Sequence, residues 1–462
     1  MIFSNAMGIG NSDATTRRGF VSAVTAASYA RIAGANDRVQ VGFIGFGLIG
    51  HEHVQDFKMQ SDADLAAMSD VYQPRLEQGL AACGGQAKAY RDFRKLLDDK
   101  DIQAVVVSTP DHWHALITIM ACVAGKDVYV EKPLTLFVKE GRWMVDAARR
   151  YNRVVQAGTQ QRSGRHFQKA VEMLRSGAIG KIMSVRGTSF RNIMPGFGSP
   201  PDDAPPNDLD YDMWLGPAPK RPYNPHRSLY HFRWFWDYSG GQMTNLGAHE
   251  LDVVQWAMQV KGPVAVSSSG GRFALEDNGE TPDTQDALFE YPDFTAVYSY
   301  REASAGRRGE GALEFYGTKG CLSIDRSGFQ IYPDMKLDPS NAIPTFAGHP
   351  VGGPVRNPVR NNVAPEPWIQ PFKMAGSSPE QFDLHARNFL DCIKSRQRPI
   401  ADVEQAHQVS AACHLANISL RTGRKIRWNP ETEEIIGDRE ASKWLERPYR
   451  KPWDEVLRSF HL

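Results

Sequence analysis

The chain has 462 residues, of which 41% are hydrophobic and 23% are charged, as in an ordinary globular protein. A single hydrophobic core rarely exceeds about 250–300 residues, so this length predicts two domains. The formal net charge of +1 gives no basic surface for nucleic acid, and no stretch approaches the roughly 18 consecutive apolar residues of a membrane-spanning helix. Five cysteines without a close pair argue against a disulfide framework and against a cysteine zinc site.

Residues 1–35 are predicted to be an export signal and to belong to no fold. Arg17 and Arg18 precede a weakly apolar run over 21–30, and the small residues at 33–35 offer a cleavage site. This order resembles a twin-arginine signal, which implies a periplasmic or extracellular protein. The alternative is a disordered tail with a chance arginine pair, in which case the protein stays in the cytoplasm.

A nucleotide-binding motif opens the first predicted domain, residues 36–158. The run 39–44, VQVGFI, predicts a buried strand, and the GxGxxG motif GFGLIG follows it. The glycines permit a tight turn, the approach of a pyrophosphate and the packing of the next helix, whose N-terminus faces the phosphates. Asp70 lies 20 residues past the last glycine, where a carboxylate accepts ribose hydroxyls and repels a 2′-phosphate, so we predict NAD rather than NADP. The cofactor-binding residues predicted here are Gly45, Phe46, Gly47, Leu48, Ile49, Gly50 and Asp70.

Further apolar runs over 104–108, 128–130 and 154–158 alternate with helical segments. This alternation predicts βαβ units and a doubly wound parallel sheet, the Rossmann arrangement, with helices on both faces. Ligands of such sheets bind beyond the carboxyl ends of the strands, so we place the following loops at the cofactor edge. The residues concerned are Thr109, Pro110, His114, Glu131, Lys132 and Gln160. His112 and His114 lack an acid or cysteine at ligand spacing, and we predict no metal site.

Residues 159–428 are predicted to form an α+β domain, and 429–462 a polar C-terminal arm. Runs rich in β-branched and aromatic residues predict strands, and no crossover helix separates the last of them, which favours a mainly antiparallel sheet. These runs cover 181–190, 286–301, 312–316 and 321–332. Helical patterns follow within 381–422.

The segment 211–238 is rich in aromatic residues, which either cover the C–H faces of a sugar ring or form a second core. Trp236 and Tyr238 lie just before a second group of motifs, and we predict that they contact substrate. Arg162 and His166, where the chain enters the second domain, are predicted to reach substrate as well.

The motifs GFGLIG, STPDHWH, EKPL, AGTQQR and GGQMTNLGAHELD occur in this order over roughly residues 38–425. Together they resemble the Gfo/Idh/MocA family of oxidoreductases, and with the export signal they resemble its secreted bacterial branch. The resemblance implies a nicotinamide enzyme acting on sugars, polyols or their derivatives. It also implies that the helices within 381–422 pack near the first domain and that the sheet face forms a homodimer or homotetramer.

The resemblance assigns proton transfer to Lys132 and His249. A lysine in a desolvated pocket beside a positively charged nicotinamide should have a lowered pKa, and a histidine titrates near neutral pH. Many family members carry an acid four residues before this histidine, but here the position is Asn245, which cannot take a proton. Asn245 is therefore predicted to orient the substrate, and the triad is not carried over whole.

Three functions are compatible with these residues. The first is an NAD-dependent sugar oxidoreductase whose cofactor crosses the membrane already bound and stays on the enzyme. The second is a redox-type glycoside hydrolase or lyase, although the Thr-His-Gly-Leu-Gly-Pro pattern of those enzymes is absent. The third is a sugar-binding protein without activity, because fold alone does not determine chemistry.

Overall fold

The computed structural model describes residues 38–306, 310–336 and 366–461. The predicted export signal, residues 1–35, lies outside the described residues. None of the helices in the described ranges is long and apolar enough to cross a bilayer.

The first sheet has six strands, every neighbouring pair of which is parallel, as the sequence predicted. Its spatial order is β3-β2-β1-β4-β5-β6. The strands are β1 (Val39–Ile44), β2 (Ala63–Ser69), β3 (Lys88–Tyr90), β4 (Ala104–Val107), β5 (Asp127–Val130) and β6 (Val155–Ala157). The helices that follow them are α1 (Leu48–Lys58), α2 (Gln73–Ala82), α3 (Phe93–Asp98), α4 (Asp111–Val123) and α5 (Val138–Arg150). The order reverses between β1 and β4, and a ligand crevice is expected at that switch point.

The second sheet has ten strands, which are antiparallel to their neighbours except for the parallel pair β7 and β10. Its spatial order is β14-β13-β12-β11-β7-β10-β9-β8-β15-β16. The strands are β7 (Ile182–Phe190), β8 (Ala265–Gly271), β9 (Thr284–Glu290), β10 (Thr295–Arg301), β11 (Glu310–Gly317), β12 (Gly320–Asp325), β13 (Gly328–Pro333), β14 (Phe372–Ala375), β15 (Ile426–Asn429) and β16 (Glu434–Ile435). The fold class is therefore confirmed as a Rossmann domain joined to an α+β domain. The run 286–301 is a hairpin rather than one strand, because Pro292 and Asp293 form its turn.

Helices cover one face of the second sheet and connect it to the first domain. They are α6 (Arg165–Arg175), α7 (Tyr211–Leu215), α8 (Gly241–Asn245), α9 (Gly247–Met258), α10 (Ser378–Ser395), α11 (Val403–Thr422), α12 (Arg439–Ser442) and α13 (Trp453–Ser459). Helix α10 packs on α1, and α11 packs on α5. The latter approach is close, because a Cβ added at Gly141 in α5 would lie 2.2 Å from Nδ1 of His407 in α11.

The other face of the second sheet carries exposed apolar side chains. Met183 on β7, Leu288 on β9 and Tyr332 on β13 are 51%, 37% and 51% exposed. Leu288 and Tyr332 follow buried neighbours in the two-residue period of a strand, whereas Met183 lies at a register shift and is followed by the half-buried Ser184.

The C-terminal arm returns to the first domain. The hydroxyl of Tyr449 donates a 2.6 Å hydrogen bond to buried Glu140 on α5, and Trp453 packs edge-on against Trp113 on α4 at 4.8 Å. Arg450 donates to the carbonyl of Gly216, which directly follows α7. The arm thereby fixes the segment after α7 against the Rossmann helices.

Candidate active site

A cavity of about 430 Å³ lies at the carboxyl ends of β1, β2, β4 and β5, where the strand order reverses. One wall is the glycine loop and the strand ends, and the other is the segment 213–233 of the second domain. Most of the predicted cofactor residues line it: Gly45, Phe46, Gly47, Leu48, Ile49, Asp70, Thr109, Pro110, His114, Glu131 and Lys132.

The glycines of the first loop have distinct roles. Gly45 has a φ of +91°, and a Cβ there would lie 2.9 Å from the backbone of Ser108. Gly50 lies beneath the loop, and a Cβ on it would lie 2.5 Å from the carbonyl oxygen of Gly45. A Cβ on Gly47 would meet only the tip of Arg75, at 3.8 Å. Gly47 therefore leaves an open path to the loop backbone, at the N-terminus of α1, where a phosphate is stabilised.

Asp70 directly follows β2 and holds the glycine loop by hydrogen bonds to its backbone. Its carboxylate accepts hydrogen bonds from the backbone N–H of Phe46 at 2.8 Å and of Tyr72 at 2.9 Å. Burial raises the pKa of Asp70, while those two bonds and the charges of Arg75 and Arg91 oppose the rise. Arg75 also lines this end of the cavity, and the sequence analysis did not single it out.

The hydroxyls of Ser108 and Thr109 are buried in the cavity wall without a hydrogen-bond partner among the described residues. Buried polar atoms are nearly always satisfied, so these hydroxyls indicate a polar ligand. Together with the open approach at Gly47, they fit a bound dinucleotide.

His114 connects the two loops beside the cavity. One ring nitrogen lies 2.8 Å from the carbonyl oxygen of Thr109, and the other lies 2.7 Å from that of Pro133. The ring therefore ties the loop after β4 to the loop after β5. His114 positions these loops in addition to lining the cavity.

Glu131, at the end of β5, is held by the protein on both oxygens. One oxygen lies 2.8 Å from Nε2 of His53 on α1, and the other accepts the backbone N–H of Lys132 at 3.0 Å. Burial opposes the charged form of His53, but its contacts with Asp56 and Glu131 outweigh this and raise its pKa to about 9. Gly158 leaves room for the pair, since a Cβ there would lie 2.3 Å from Glu131.

Lys132 extends into the cavity and donates a hydrogen bond of 2.8 Å to Oδ1 of Asn245. Burial lowers the pKa of Lys132 to about 8. The charge of Glu131 opposes this shift, whereas the charges of Arg233 and Arg326 reinforce it. A lysine of this kind exchanges protons near neutral pH.

A chain of buried side chains fixes the orientation of Asn245. Its amide donates to Gln242 at 2.9 Å, and Gln242 donates to Glu302 at 2.9 Å. Glu302 also accepts the indole N–H of Trp234 at 2.8 Å and pairs with Arg191. The amide oxygen of Asn245 is thereby turned toward Lys132.

His249 is buried on α9, and its Nδ1 has no partner among the described residues. Burial, with the nearby charges of Lys132 and Arg326, holds the pKa of His249 well below its usual value. The imidazole is therefore neutral, and its unpaired Nδ1 is buried outside the lining of the cavity.

Comparison with known proteins decides the family. The profile of the Gfo/Idh/MocA oxidoreductase family, NAD-binding Rossmann fold, matches residues 39–159, and that of the family's C-terminal α/β domain matches 167–310 and 373–455. The chain belongs to the Gfo/Idh/MocA family. It is 28% identical over 291 residues to the myo-inositol 2-dehydrogenase of Thermotoga maritima, covering 62% of this chain and 75% of that one.

Two further proteins are similar to this chain over different extents. A glycosyl hydrolase family 109 protein of a Shewanella species is 32% identical over 160 residues, which is 33% of this chain and only 35% of that protein. The fold of a levoglucosan dehydrogenase, solved with NADH and levoglucosan, superposes with a TM-score of 0.61 at 19% identity, covering 84% of this chain and 99% of that one.

For a Gfo/Idh/MocA enzyme, none of the six predicted substrate contacts lines the cavity, although Asn245 hydrogen-bonds Lys132 in its wall. Arg162 is buried and forms an ion pair with Asp252 at 2.8 Å. His166 lies 3.0 Å from the carbonyl of Asp325. Their polar atoms are held by the protein, so neither side chain is available to substrate.

The two aromatic residues predicted to contact substrate, Trp236 and Tyr238, do not line the cavity either. Tyr238 is fully buried against His112 and Trp214, and the ring of Trp236 lies 4.5 Å beneath the guanidinium of Arg421. Gln160, predicted to contact the cofactor, is buried in a 3₁₀ helix and does not line the cavity.

Other residues line the cavity and were missed. Asp111 begins α4 and accepts a hydrogen bond from Ser239 at 2.5 Å. Its position in the loop after β4 could have predicted this, because ligands bind at that edge of the sheet. The remaining ones come from the aromatic segment and nearby: Trp113, Met213, Trp214, Leu229, Tyr230, Phe232 and Arg233. Among the described residues, no group of three metal-ligating side chains could hold a metal ion.

Proposed function

We propose that this protein is an NAD-dependent oxidoreductase of a sugar, polyol or glycoside, in which Lys132 moves the proton of the reacting hydroxyl. The main support for this proposal is the amine of Lys132. It is hydrogen-bonded to Asn245 and lies in the wall of the cavity that the glycine loop also lines. NAD, when bound, supplies hydride transfer at its nicotinamide ring.

The residues of the chain divide the remaining work. In the oxidation direction the neutral amine of Lys132 accepts the hydroxyl proton, and in reduction the ammonium returns it. Asn245 holds the amine in place. Asp111 lines the same cavity, and its carboxylate can accept a hydrogen bond from a second hydroxyl of the substrate.

The proposal is tested with the full chain and a lysine pair. Purified protein is denatured and the released nucleotide is identified, and then a panel of sugars and polyols is screened for reduction of NAD. Lys132→Met should abolish turnover, while Lys95→Met, an exposed lysine of α3, should leave it unchanged. Protein that binds no nicotinamide nucleotide would contradict the proposal.

We further propose that the cofactor is NAD, retained through the catalytic cycle, and that residues 1–35 direct export. Asp70, at the end of β2, supports NAD over NADP. Retention predicts about one NAD per purified chain; protein recovered without cofactor and binding NAD weakly would refute it. Cell fractionation of a variant with Arg17→Lys and Arg18→Lys tests the export signal, since loss of export is expected.

A redox-type hydrolase or lyase is the second candidate, because the similarity to the glycosyl hydrolase family 109 protein points in that direction. In that chemistry a sugar is oxidised transiently, the glycosidic group is eliminated, water adds and the sugar is reduced again. Chromogenic glycosides distinguish the two candidates: turnover without added NAD and without net change in its redox state favours the hydrolase.

We also propose that the exposed face of the ten-stranded sheet joins copies of the chain as a homodimer or homotetramer. Three exposed apolar side chains on one face support this interface (Met183, Leu288 and Tyr332). Light scattering should show an oligomer, and Leu288→Glu should dissociate it.

A further inference from the structure

Arg233 is a half-buried arginine of the cavity wall. Its Nε is buried without a hydrogen-bond partner, and no ion pair joins it to a carboxylate within the described ranges. Its guanidinium carbon lies 5.3 Å from the centre of the Phe232 ring, and its charge acts on Asp111 and Lys132. An unsatisfied, partly buried guanidinium is costly unless a ligand completes it.

Other arginines in the interior already have carboxylates. Arg162 pairs with Asp252, Arg387 pairs with Asp62, and Arg272 pairs with Asp277. These three are neutralised by carboxylates, whereas the half-buried Arg447 is held by the carbonyls of Trp236 and Asp237. Arg233 has no ion-pair partner within the described ranges, and the acid of the cavity on which its charge acts is Asp111.

The backbone holds Arg233 in place. It lies in the 3₁₀ helix His231–Trp234, and the adjacent Trp234 is buried and anchored to Glu302 through its indole N–H. The carbonyl of Trp234 accepts the backbone N–H groups of Glu280 and Thr281, at 2.8 and 3.1 Å. Arg233 is thus presented from a fixed position.

A second arginine of the same domain, Arg326, is exposed and does not line the cavity, but its charge acts on buried groups beside it. Arg326 lies in the turn between β12 and β13, and its side chain has no ion pair within the described part of the chain. It is close enough to Lys132, His249 and Glu250 for its charge to act on all three.

Acidic side chains also lie around this centre. Glu131 is already paired with His53. Burial raises the pKa of Glu250 to about 7, and burial also raises the pKa of Asp111, against the charges of Arg233 and Lys132. Lys132 and Arg233 therefore place two basic side chains in the cavity wall, and no ion pair within the described ranges neutralises either of them.

We propose, on the basis of the oxidoreductase function proposed above, that the substrate is an anionic sugar whose carboxylate or phosphate group binds Arg233. The planar fork of a guanidinium matches either oxyanion with two parallel hydrogen bonds. A neutral sugar would leave that fork unpaired.

Equilibrium binding tests the inference independently of turnover. Calorimetric titration of the NAD-loaded protein compares D-glucuronate and D-gluconate with D-glucose 6-phosphate and with neutral D-glucose. At least one acid class should bind about 10-fold or more tightly than the neutral sugar, and the preferred class identifies the anionic group. Equal affinity for charged and neutral sugars, or no affinity for any of the acids, would overturn the inference.

Variants locate the anion. Arg233→Gln should weaken binding of the preferred acid by about 10–100-fold and leave glucose binding within about threefold, and Arg233→Lys should recover part of the loss. The exposed Arg458→Gln serves as the matched control and should change nothing. A rise in the Kd for NAD with no change for the acid would instead place Arg233 on the cofactor phosphates and refute the proposal.

The two proposals fail in different ways. If neutral sugars reduce NAD as well as acids do and Arg233→Gln affects neither, the anionic specificity is wrong and the oxidoreductase stands. If acids bind through Arg233 but no sugar changes the nicotinamide, the binding inference stands and the oxidoreductase is wrong.

Discussion

The amine of Lys132 is held by the neutral amide of Asn245, at 2.8 Å, where many family members place a carboxylate. A carboxylate at this distance would favour the ammonium form, whereas an amide oxygen accepts the hydrogen bond without a full charge. The amide therefore keeps the lysine available as a base closer to neutral pH.

This relationship predicts a pH profile. The activity of the wild type in the oxidation direction should rise with pH through about 8, as Lys132 loses its proton. Asn245→Asp should move that midpoint upward by about one unit or more, because the new charge stabilises the ammonium. Asn207→Asp, at an exposed position, is the control. An unchanged midpoint in Asn245→Asp would show that another group controls the profile.

The open space at Gly47 predicts a separation of folding from cofactor binding. Gly47→Ala should fold normally, because its Cβ meets nothing closer than 3.8 Å, yet raise the Kd for NAD about 10-fold or more by obstructing the phosphates. Gly45→Ala should instead destabilise the protein, since its Cβ would clash with the backbone of Ser108. Thermal unfolding and NAD titration are measured on both, with Gly262→Ala as the control. Normal NAD affinity in Gly47→Ala would place the pyrophosphate elsewhere.

The buried pair of His53 and Glu131 predicts pH-dependent stability. Because the pKa of His53 is about 9 in the folded protein and about 6.5 when unfolded, its contribution is complete below pH 6.5 and is lost as pH rises from 6.5 to 9. His53→Gln should lower the free energy of unfolding by about 2–4 kcal/mol at pH 6 and flatten this part of the curve. The free energy of unfolding is measured by urea denaturation at a series of pH values, and His51→Gln, at an exposed position, is the control. Parallel curves for wild type and His53→Gln would contradict the assignment.

The ion pair of Arg162 and Asp252 predicts a structural rather than a substrate role. Asp252→Asn leaves a buried guanidinium uncompensated and should cost about 3–5 kcal/mol, with the Kd for NAD unchanged. The double variant Arg162→Met with Asp252→Leu should be more stable than Asp252→Asn alone. Chemical unfolding measures both, and the half-exposed Asp146→Asn is the control. A stable Asp252→Asn variant with an altered KM for sugar would return Arg162 to the substrate site.

The first sheet and its glycine loop were predictable because their signals are local. The strand, the glycines and Asp70 lie within a short stretch, and their spacing encodes the turn and the carboxyl edge. Lys132 was placed by the same logic, since Glu131 and Lys132 end a buried strand. Such features depend on sequence neighbours alone.

The substrate side was not predictable in this way. Arg162 finds its carboxylate 90 residues later, and nothing local indicates which acid neutralises it. In the aromatic segment, a 3₁₀ helix turns Phe232 and Arg233 toward the cavity, whereas Tyr238 enters a core with His112. The direction of each side chain there depends on irregular backbone. Such backbone lacks the regular spacing of a helix or strand, so the sequence does not indicate which side chains face the cavity.

The C-terminal arm has a consequence for the order of assembly. Tyr449 reaches Glu140 across 309 residues of chain, and Arg450 holds the carbonyl of Gly216. A ribosome-bound intermediate therefore completes the glycine loop long before it can brace the opposite wall. The wall opposite the glycine loop can be braced only after residues 449 and 450 have left the ribosome, so the two sides of the cavity mature at different stages of synthesis.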